Sequence, residues 1–285
     1  MLGSDLDHDA IIERLRGATP LRFKPVGTSS VVLQMTLEGP VDAVFRPRSR
    51  DSARGYLAEI AAYRVARLLG LSNAPPSVFR RVTRRQFRER LDPDFADTLQ
   101  ELITWTVWDR DDTLPGAVTY WVPQMRGLGL EGWRATERFT YRLTQGVEIP
   151  PEDLPLHTDI SNMLVFDYLV GNWDRFSPGS PQGTPDGRRL FLRGQERAFL
   201  HPLPVHLHER LRSGLTRTEK FSRSIVDRLL RMRPDLLRSE LRDTPDGPLL
   251  TERQLADLLD RREALLSYVT SLVENYGEEA VVCLP

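Results

Sequence analysis

Lysine is nearly missing from this chain: Lys24 and Lys220 are the only two among 39 basic residues, and every other cation is arginine. A coding bias towards arginine accounts for the skew more simply than functional clustering does, so a single Lys-to-Arg exchange says little by itself. Cysteine is scarcer still. Cys283 stands alone, which excludes a disulfide framework and a cysteine-based metal site. Long apolar runs are missing too, with nothing near the roughly 18 consecutive apolar residues of a spanning helix. Residues 1–8 lack the cationic and apolar regions of a secretory leader. The expectation is a soluble, cytoplasmic protein without a membrane span. Nor does one sign of charge prevail: 40 acidic residues leave a formal net charge of -1, which argues against a nucleic-acid binder.

What is present is ample chain. The 285 residues suffice for one large domain or two packed lobes. No internal repeat stands out. The first half reads as mixed strand and helix, the second as mostly helical. Residues 29–37 carry apolar and β-branched residues, Glu38-Gly39-Pro40 signals a turn, and 41–45 reads as the returning strand of a hairpin. Residues 55–69 form the clearest helix of this half, apolar at Leu57, Ile60, Ala61, Val65 and Leu68 and stopped by Gly70. Strands are expected at 78–82 and 117–122, and the charged stretch 83–101 reads as a surface excursion.

The second half opens with Thr158 or Asp159 as the cap of a buried helix over 160–170, ended by Gly171. An irregular loop over 178–187 and a short strand over 189–192 follow. Thr216 with Glu219 and Thr251 with Gln254 have capping-box spacing. The last helix carries Leu255, Leu258, Leu259, Leu265, Leu266, Val269, Leu272 and Tyr276. That stripe fits packing on its own domain better than a coiled-coil partner face.

Four pieces bear on chemistry. In the loop Pro25-Val-Gly-Thr-Ser-Ser30, the small residues Gly27, Thr28, Ser29 and Ser30 let backbone N–H groups and hydroxyls approach phosphate oxygens, although a tight turn needs the same residues. Arg46 ends the following strand. Glu59 lies on the 55–69 helix among Ala58, Ile60, Ala61 and Ala62, where a solvated carboxylate is the plain alternative. In kinase-like folds such a strand cation and helix carboxylate pair to reach nucleotide phosphates. The fourth piece is Phe166-Asp-Tyr-Leu-Val-Gly-Asn-Trp-Asp-Arg175. A buried helix stops at Gly171 and leaves Asn172, Asp174 and Arg175 on a fixed loop, as catalytic candidates. Asp174 so held would orient a hydroxyl and accept its proton; if this stretch stood alone, a helix-terminal Asp174 paired with Arg175 would be the favoured explanation.

Together these segments resemble the Golgi casein kinase and four-jointed group of atypical kinases, which is distantly related to phosphatidylinositol 3/4-kinases and HipA-type kinases. The resemblance covers roughly residues 20–205. It implies an α+β, two-lobed kinase-like fold, with an N-lobe over 1–125, a helical C-lobe over 126–285 and ATP between them. It also implies Asp174 as the catalytic aspartate, and Glu59 as partner of the strand cation or as a ligand to Mg²⁺ or Mn²⁺.

Two positions depart from the family pattern. Arg46 stands where the family has Lys, a larger planar fork in place of a compact ammonium. Gly194 and Gln195 stand where it has Asp and Asn, counting back from Phe199. A glycine supplies no carboxylate to hold a metal on the phosphates, and Glu196 is two residues out of register as a substitute. His201, His206, His208 and Glu209 offer a weaker metal reading, since His206 and His208 would share a face only on a strand.

Three functions follow. The first is a pseudokinase or nucleotide-binding regulatory protein. The second is an active phosphotransferase with altered metal ligation. The third is a partner-binding domain acting through the C-terminal helices without nucleotide.

Overall fold

Alternation sends the first elements into a sheet. Leu33, Met35 and Leu37 of β2 (Leu33–Leu37) and Ala43, Phe45 and Pro47 of β3 (Asp42–Pro47) are buried in turn. The two strands pair antiparallel, with Leu33 opposite Phe45 and Met35 opposite Ala43, so the expected hairpin forms. These come from a computed structural model that describes residues 7–26, 30–177 and 181–285, with backbone alone for 133–136. β1 (Pro20–Pro25), β4 (Ser77–Thr83) and β5 (Thr113–Tyr120) complete a five-stranded sheet in the order β1-β2-β3-β5-β4, every neighbouring pair antiparallel. Gly116 faces Pro47 across β3 and β5, and a Cβ there would lie 2.4 Å from the Phe45 ring. Only glycine fits that approach.

α1 (His8–Gly17) is capped by Asp7, and Arg80 donates to its last carbonyls at Leu15 (3.1 Å) and Ala18 (2.7 Å). The stretch 83–101 is no mere excursion. It folds into α3 (Arg84–Arg90), a 3₁₀ turn and α4 (Leu99–Trp105). The cause is Phe87, which is fully buried with its ring 5.6 Å from Phe23 and 5.7 Å from Trp108; Phe23 in turn lies 6.2 Å from Phe45. Burying a ring of this kind contributes about 1.5–3 kcal/mol, enough to hold a highly charged segment down. α2 (Gly55–Leu68) is buried without a break from residue 55 to 63, more completely than its apolar stripe implies.

The chain divides into two compact units. One comprises Met1–Tyr63, Pro75–Pro123 and Asp243–Leu249; the other comprises Arg64–Ala74, Gln124–Arg242 and Leu250–Pro285. The chain passes from one unit to the other at 63/64, 74/75, 123/124, 242/243 and 249/250. Residues 243–249 return to the first unit because Asp246 accepts from Tyr56 Oη at 2.9 Å and from Arg81, while Arg54 donates to the carbonyls of Pro248 and Leu249.

The second unit is mostly helical: α5 (Trp133–Thr140), α6 (Leu154–Val170), α7 (Val205–Leu215), α8 (Arg223–Arg231), α9 (Pro234–Glu240), α10 (Glu252–Tyr276) and α11 (Glu278–Val281). Three two-residue strands, β6 (Arg126–Gly127), β7 (Gln182–Gly183) and β8 (Leu190–Phe191), form a small antiparallel sheet. The loop expected over 178–187 thus carries β7, while its residues 178–180 lie outside the described ones. α6 starts earlier than its expected caps, at Leu154 after Asp153. Thr158 and Asp159 are interior residues: the hydroxyl bonds back to Leu154 O, and the carboxylate takes two N–H groups from Arg189 and one from Leu190.

Thr216 and Glu219 form no capping box. Thr216 closes α7, Ser222 caps α8, and Glu219 accepts from the Gln145 amide instead. The box at Thr251 and Gln254 does form and opens α10. Leu255, Leu258, Leu265, Val269 and Leu272 of that helix are buried, and α10 packs on α6 and α8, so the stripe is core and not a free partner face. Among the described residues, no helix is long and apolar enough to cross a membrane.

Candidate functional site

The C-terminus of α6 builds the loop singled out by sequence. Gly171 takes the left-handed conformation, φ 72° and ψ 33°, and the Asn172 amide then closes on Asp167 O at 2.8 Å. Arg261 of α10 donates from Nε to Leu169 O at 2.8 Å, placing a buried cation at the negative end of the helix. Asn172 is 2% exposed and turned inward. Its amide nitrogen donates to Gln195 Oε1 at 2.8 Å and, more weakly at 3.4 Å, to Asp167 Oδ1 and Gly194 O. It ties two loops together rather than facing a substrate.

Arg175 also differs from expectation. It is 1% exposed and turned onto Asp167. Its Nε and Nη2 make a bidentate fork on Asp167 at 2.8 Å each, and Nη1 reaches Arg193 O. Burial pushes the Asp167 carboxyl up, and the Arg175 charge pulls against that. Arg175 is therefore a positioning residue beneath the loop.

Asp174 is left at the surface of the loop with 32% of its side chain exposed. The Ser177 hydroxyl donates to its Oδ1, and Arg197 Nε lies 3.5 Å from its Oδ2. The same guanidinium stands 5.2 Å over the Trp173 ring. Sequence reasoning missed Asp167, Ser177 and Arg197. Only Asp167 left a trace, as an acid inside an otherwise apolar helical run.

β8 delivers the second loop. Asn73 clamps it, donating to Leu190 O at 2.9 Å and accepting from the Leu192 amide at 3.0 Å. Gly194 follows with φ 70°, and a Cβ built on it meets only Glu196 Oε2, at 3.8 Å. Gln195 is buried and spent on Asn172.

In the first unit, Arg46 on β3 and Glu59 on α2 come together at 3.9 Å. Glu59 is 3% exposed, so the solvated-carboxylate alternative fails. Of the loop's four small residues, Ser30 alone is described, beside a closure in which the Val26 amide donates to Val32 O at 2.9 Å. Gly27, Thr28 and Ser29 lie outside the described residues. The histidines do not converge. His206 and His208 lie on α7, where their spacing makes them diverge, and His201 pairs with Asp257 at 2.7 Å.

No family model matches this chain. Among characterised proteins, it is 27% identical to the glycosaminoglycan xylosylkinase of Danio rerio, covering 86% of this chain and 70% of that one. Against the Homo sapiens glycosaminoglycan xylosylkinase it is 26% identical, covering 87% and 70%. A crystal structure of the Golgi casein kinase superposes with a TM-score of 0.74 at 17% identity, over 97% of this chain and 79% of that one. The chain fits the Golgi casein kinase-like group of atypical kinases. Its fold is kinase-like and α+β. Two further solved structures agree with it at a TM-score of 0.71. The Golgi casein kinase with Mn/ADP bound is 17% identical, covering 94% and 77% of the two chains; hydra Fam20 with sugar is 18% identical, covering 98% and 92%.

At one position the residues of this chain depart from a divalent-metal site. The position expected to carry the metal-binding carboxylate is Gly194. An arginine stands beside Asp174 instead.

Proposed function

We propose that this kinase-like chain is a nucleotide-binding regulatory protein, a pseudokinase that keeps a kinase-type loop without metal-supported phosphoryl transfer. The observation carrying the proposal is the contrast between two loops. The Asn172–Arg175 loop is fully built, whereas position 194, where the resemblance puts the metal-binding carboxylate, is a glycine. Nucleotide contacts are assigned to Arg46, held by Glu59, and to Ser30 with Gly27, Thr28 and Ser29. Asp174 is the residue that would meet an acceptor hydroxyl.

The test is phosphate transfer from ATP with Mg²⁺ or Mn²⁺, onto a xyloside and onto casein, by the wild type, Asp174→Ala and Gly194→Asp. The relatives' names motivate the two acceptors. The expected result is background transfer by the wild type and measurable transfer by Gly194→Asp. Robust wild-type turnover that Asp174→Ala abolishes would sink the reading. The Gly194→Asp chain is expected to fold with a loss of about 1–2 kcal/mol, because its site is open but left-handed.

A second reading, an active phosphotransferase with altered metal ligation, is favoured by the reach of Glu196 Oε2 to 3.8 Å of the Gly194 Cβ position. Wild-type transfer that is lost in Glu196→Gln would select it.

A further inference from the structure

The second unit carries a groove of about 550 Å³ where α8 and α9 meet the end of α2. A neighbouring depression of about 490 Å³ shares Arg231 and Leu236 with it, so the two make one trough, roomier than a single side chain needs. Leu68 and Leu236 give the groove an apolar side, and Leu236 is 36% exposed. Arg67, Arg228 and Arg231 also line it. All three are exposed, and among the described residues none forms an ion pair. Their ordinary structural duty is filled elsewhere. Arg262 donates to Leu229 O at 2.7 Å and Leu230 O at 3.1 Å, so it, rather than Arg231, closes the end of α8. Arg228 is held in place: Nη1 donates to Leu68 O at 3.3 Å, and a Cβ on Gly70 would come within 2.6 Å of its Nε. Gly70 therefore stops α2 and also makes room for a guanidinium at the groove.

We propose that this trough docks a segment of a partner protein that carries leucine-like side chains along one face and carboxylates beside them. The apolar side receives the side chains, and each guanidinium offers a planar pair of N–H donors to a carboxylate. Charge complementarity sets the sign. Three arginines outnumber the two carboxylates of the groove, Asp227 and Glu240, while Arg233 and Asp235 of the second depression pair with each other at 3.1 Å. Asp227 and Glu240 repel a dense anion such as a phosphate cluster, which leaves single carboxylates spaced along a chain as the fitting ligand. Laying an amphipathic helix between two helices is an established way to fill such a groove. No residue of the trough belongs to the nucleotide or kinase-type loops, so the proposal stands apart from the reading above.

The probe is a fluorescein-labelled peptide with leucine at i, i+3, i+4 and i+7 and glutamate at the remaining positions. Its anisotropy is followed on titration with the full chain as wild type, Arg231→Glu and Leu236→Ser. Both positions are exposed, so each variant is expected to melt within about 2 °C of the wild type, which checks folding. The wild type is expected to bind with a Kd on the order of 10 μM at low salt, and each variant about tenfold or more weakly. Peptides with lysine in place of glutamate, or serine in place of leucine, are expected to bind at least tenfold more weakly. Absence of saturable binding by the wild type would overturn the proposal. So would Arg231→Glu binding as tightly as the wild type, or the serine peptide binding as tightly as the leucine peptide, which would mean bare charge attraction. Dimerisation of the wild type that Arg231→Glu abolishes would give the trough to a second copy of this chain and overturn the proposal as well.

Discussion

At the scale of residues, the Asp167–Arg175 pair decides whether the kinase-type loop keeps its shape. The fork is bidentate, both partners are out of water, and the third arginine nitrogen is used on Arg193 O. Removing one partner leaves a charge buried without compensation, which costs about 3–5 kcal/mol. Arg175→Met is therefore expected to lose that much in urea denaturation at neutral pH. The sign of its pH dependence follows from the carboxyl. Burial already raises Asp167 in the folded chain, and loss of the arginine raises it further. A raised carboxyl binds its proton more tightly folded than unfolded, so stability falls as pH rises through the folded value. The deficit of Arg175→Met should accordingly shrink as the pH is lowered towards the ordinary carboxylate range. A deficit that stays constant, or grows, on acidification would show that the pair is not what the variant lost.

At the scale of elements, the outcome depends on how local each signal is. Gly171 was readable as a helix stop because a left-handed residue after an apolar run needs no distant partner. The Thr251–Gln254 box was readable for the same reason. The start of α6 was not. Thr158 and Asp159 look like caps in sequence, but their partners are Leu154 O one turn back and Arg189 thirty residues on. The partner of Arg175 was hidden likewise, since an acid eight residues earlier becomes its neighbour only after the helix has turned back. The stop itself is testable. A methyl at Gly171 would sit 3.4 Å from the Arg261 guanidinium and would hold φ near 72° against its preference. Gly171→Ala is expected to cost about 1–2 kcal/mol in chemical denaturation, and Gly171→Asn less, because asparagine visits the left-handed region more readily. Equal stability of all three chains would contradict the left-handed cap.

At the scale of the whole molecule, the kinase-like fold is shared at a TM-score of 0.74 while only 17% of residues agree. The resemblance was legible because it rests on short segments whose spacing survives, namely the Arg46 strand end, the Glu59 helix and the loop of Asp174. The exchange of chain between the two units was not legible, because no local pattern in 243–249 announces a long-range return. Physically the return is held by Asp246, whose side chain is 6% exposed and takes hydrogen bonds from both Tyr56 and Arg81. Burial and the nearby carboxylate push the Tyr56 hydroxyl well above the ordinary phenol range. Asp246→Ala should release both donors at once. Arg81 keeps Asp109 at 3.6 Å, but the buried Tyr56 hydroxyl loses its acceptor, which is expected to cost about 1–3 kcal/mol, read as a lower urea midpoint. The Tyr56 titration, isolated by difference against Tyr56→Phe, should shift down towards ordinary phenol once the anion is gone. A structural loss elsewhere would lower the midpoint without moving that titration. An Asp246→Ala chain in which neither quantity changes would mean that 243–249 passes by the first unit without anchoring it.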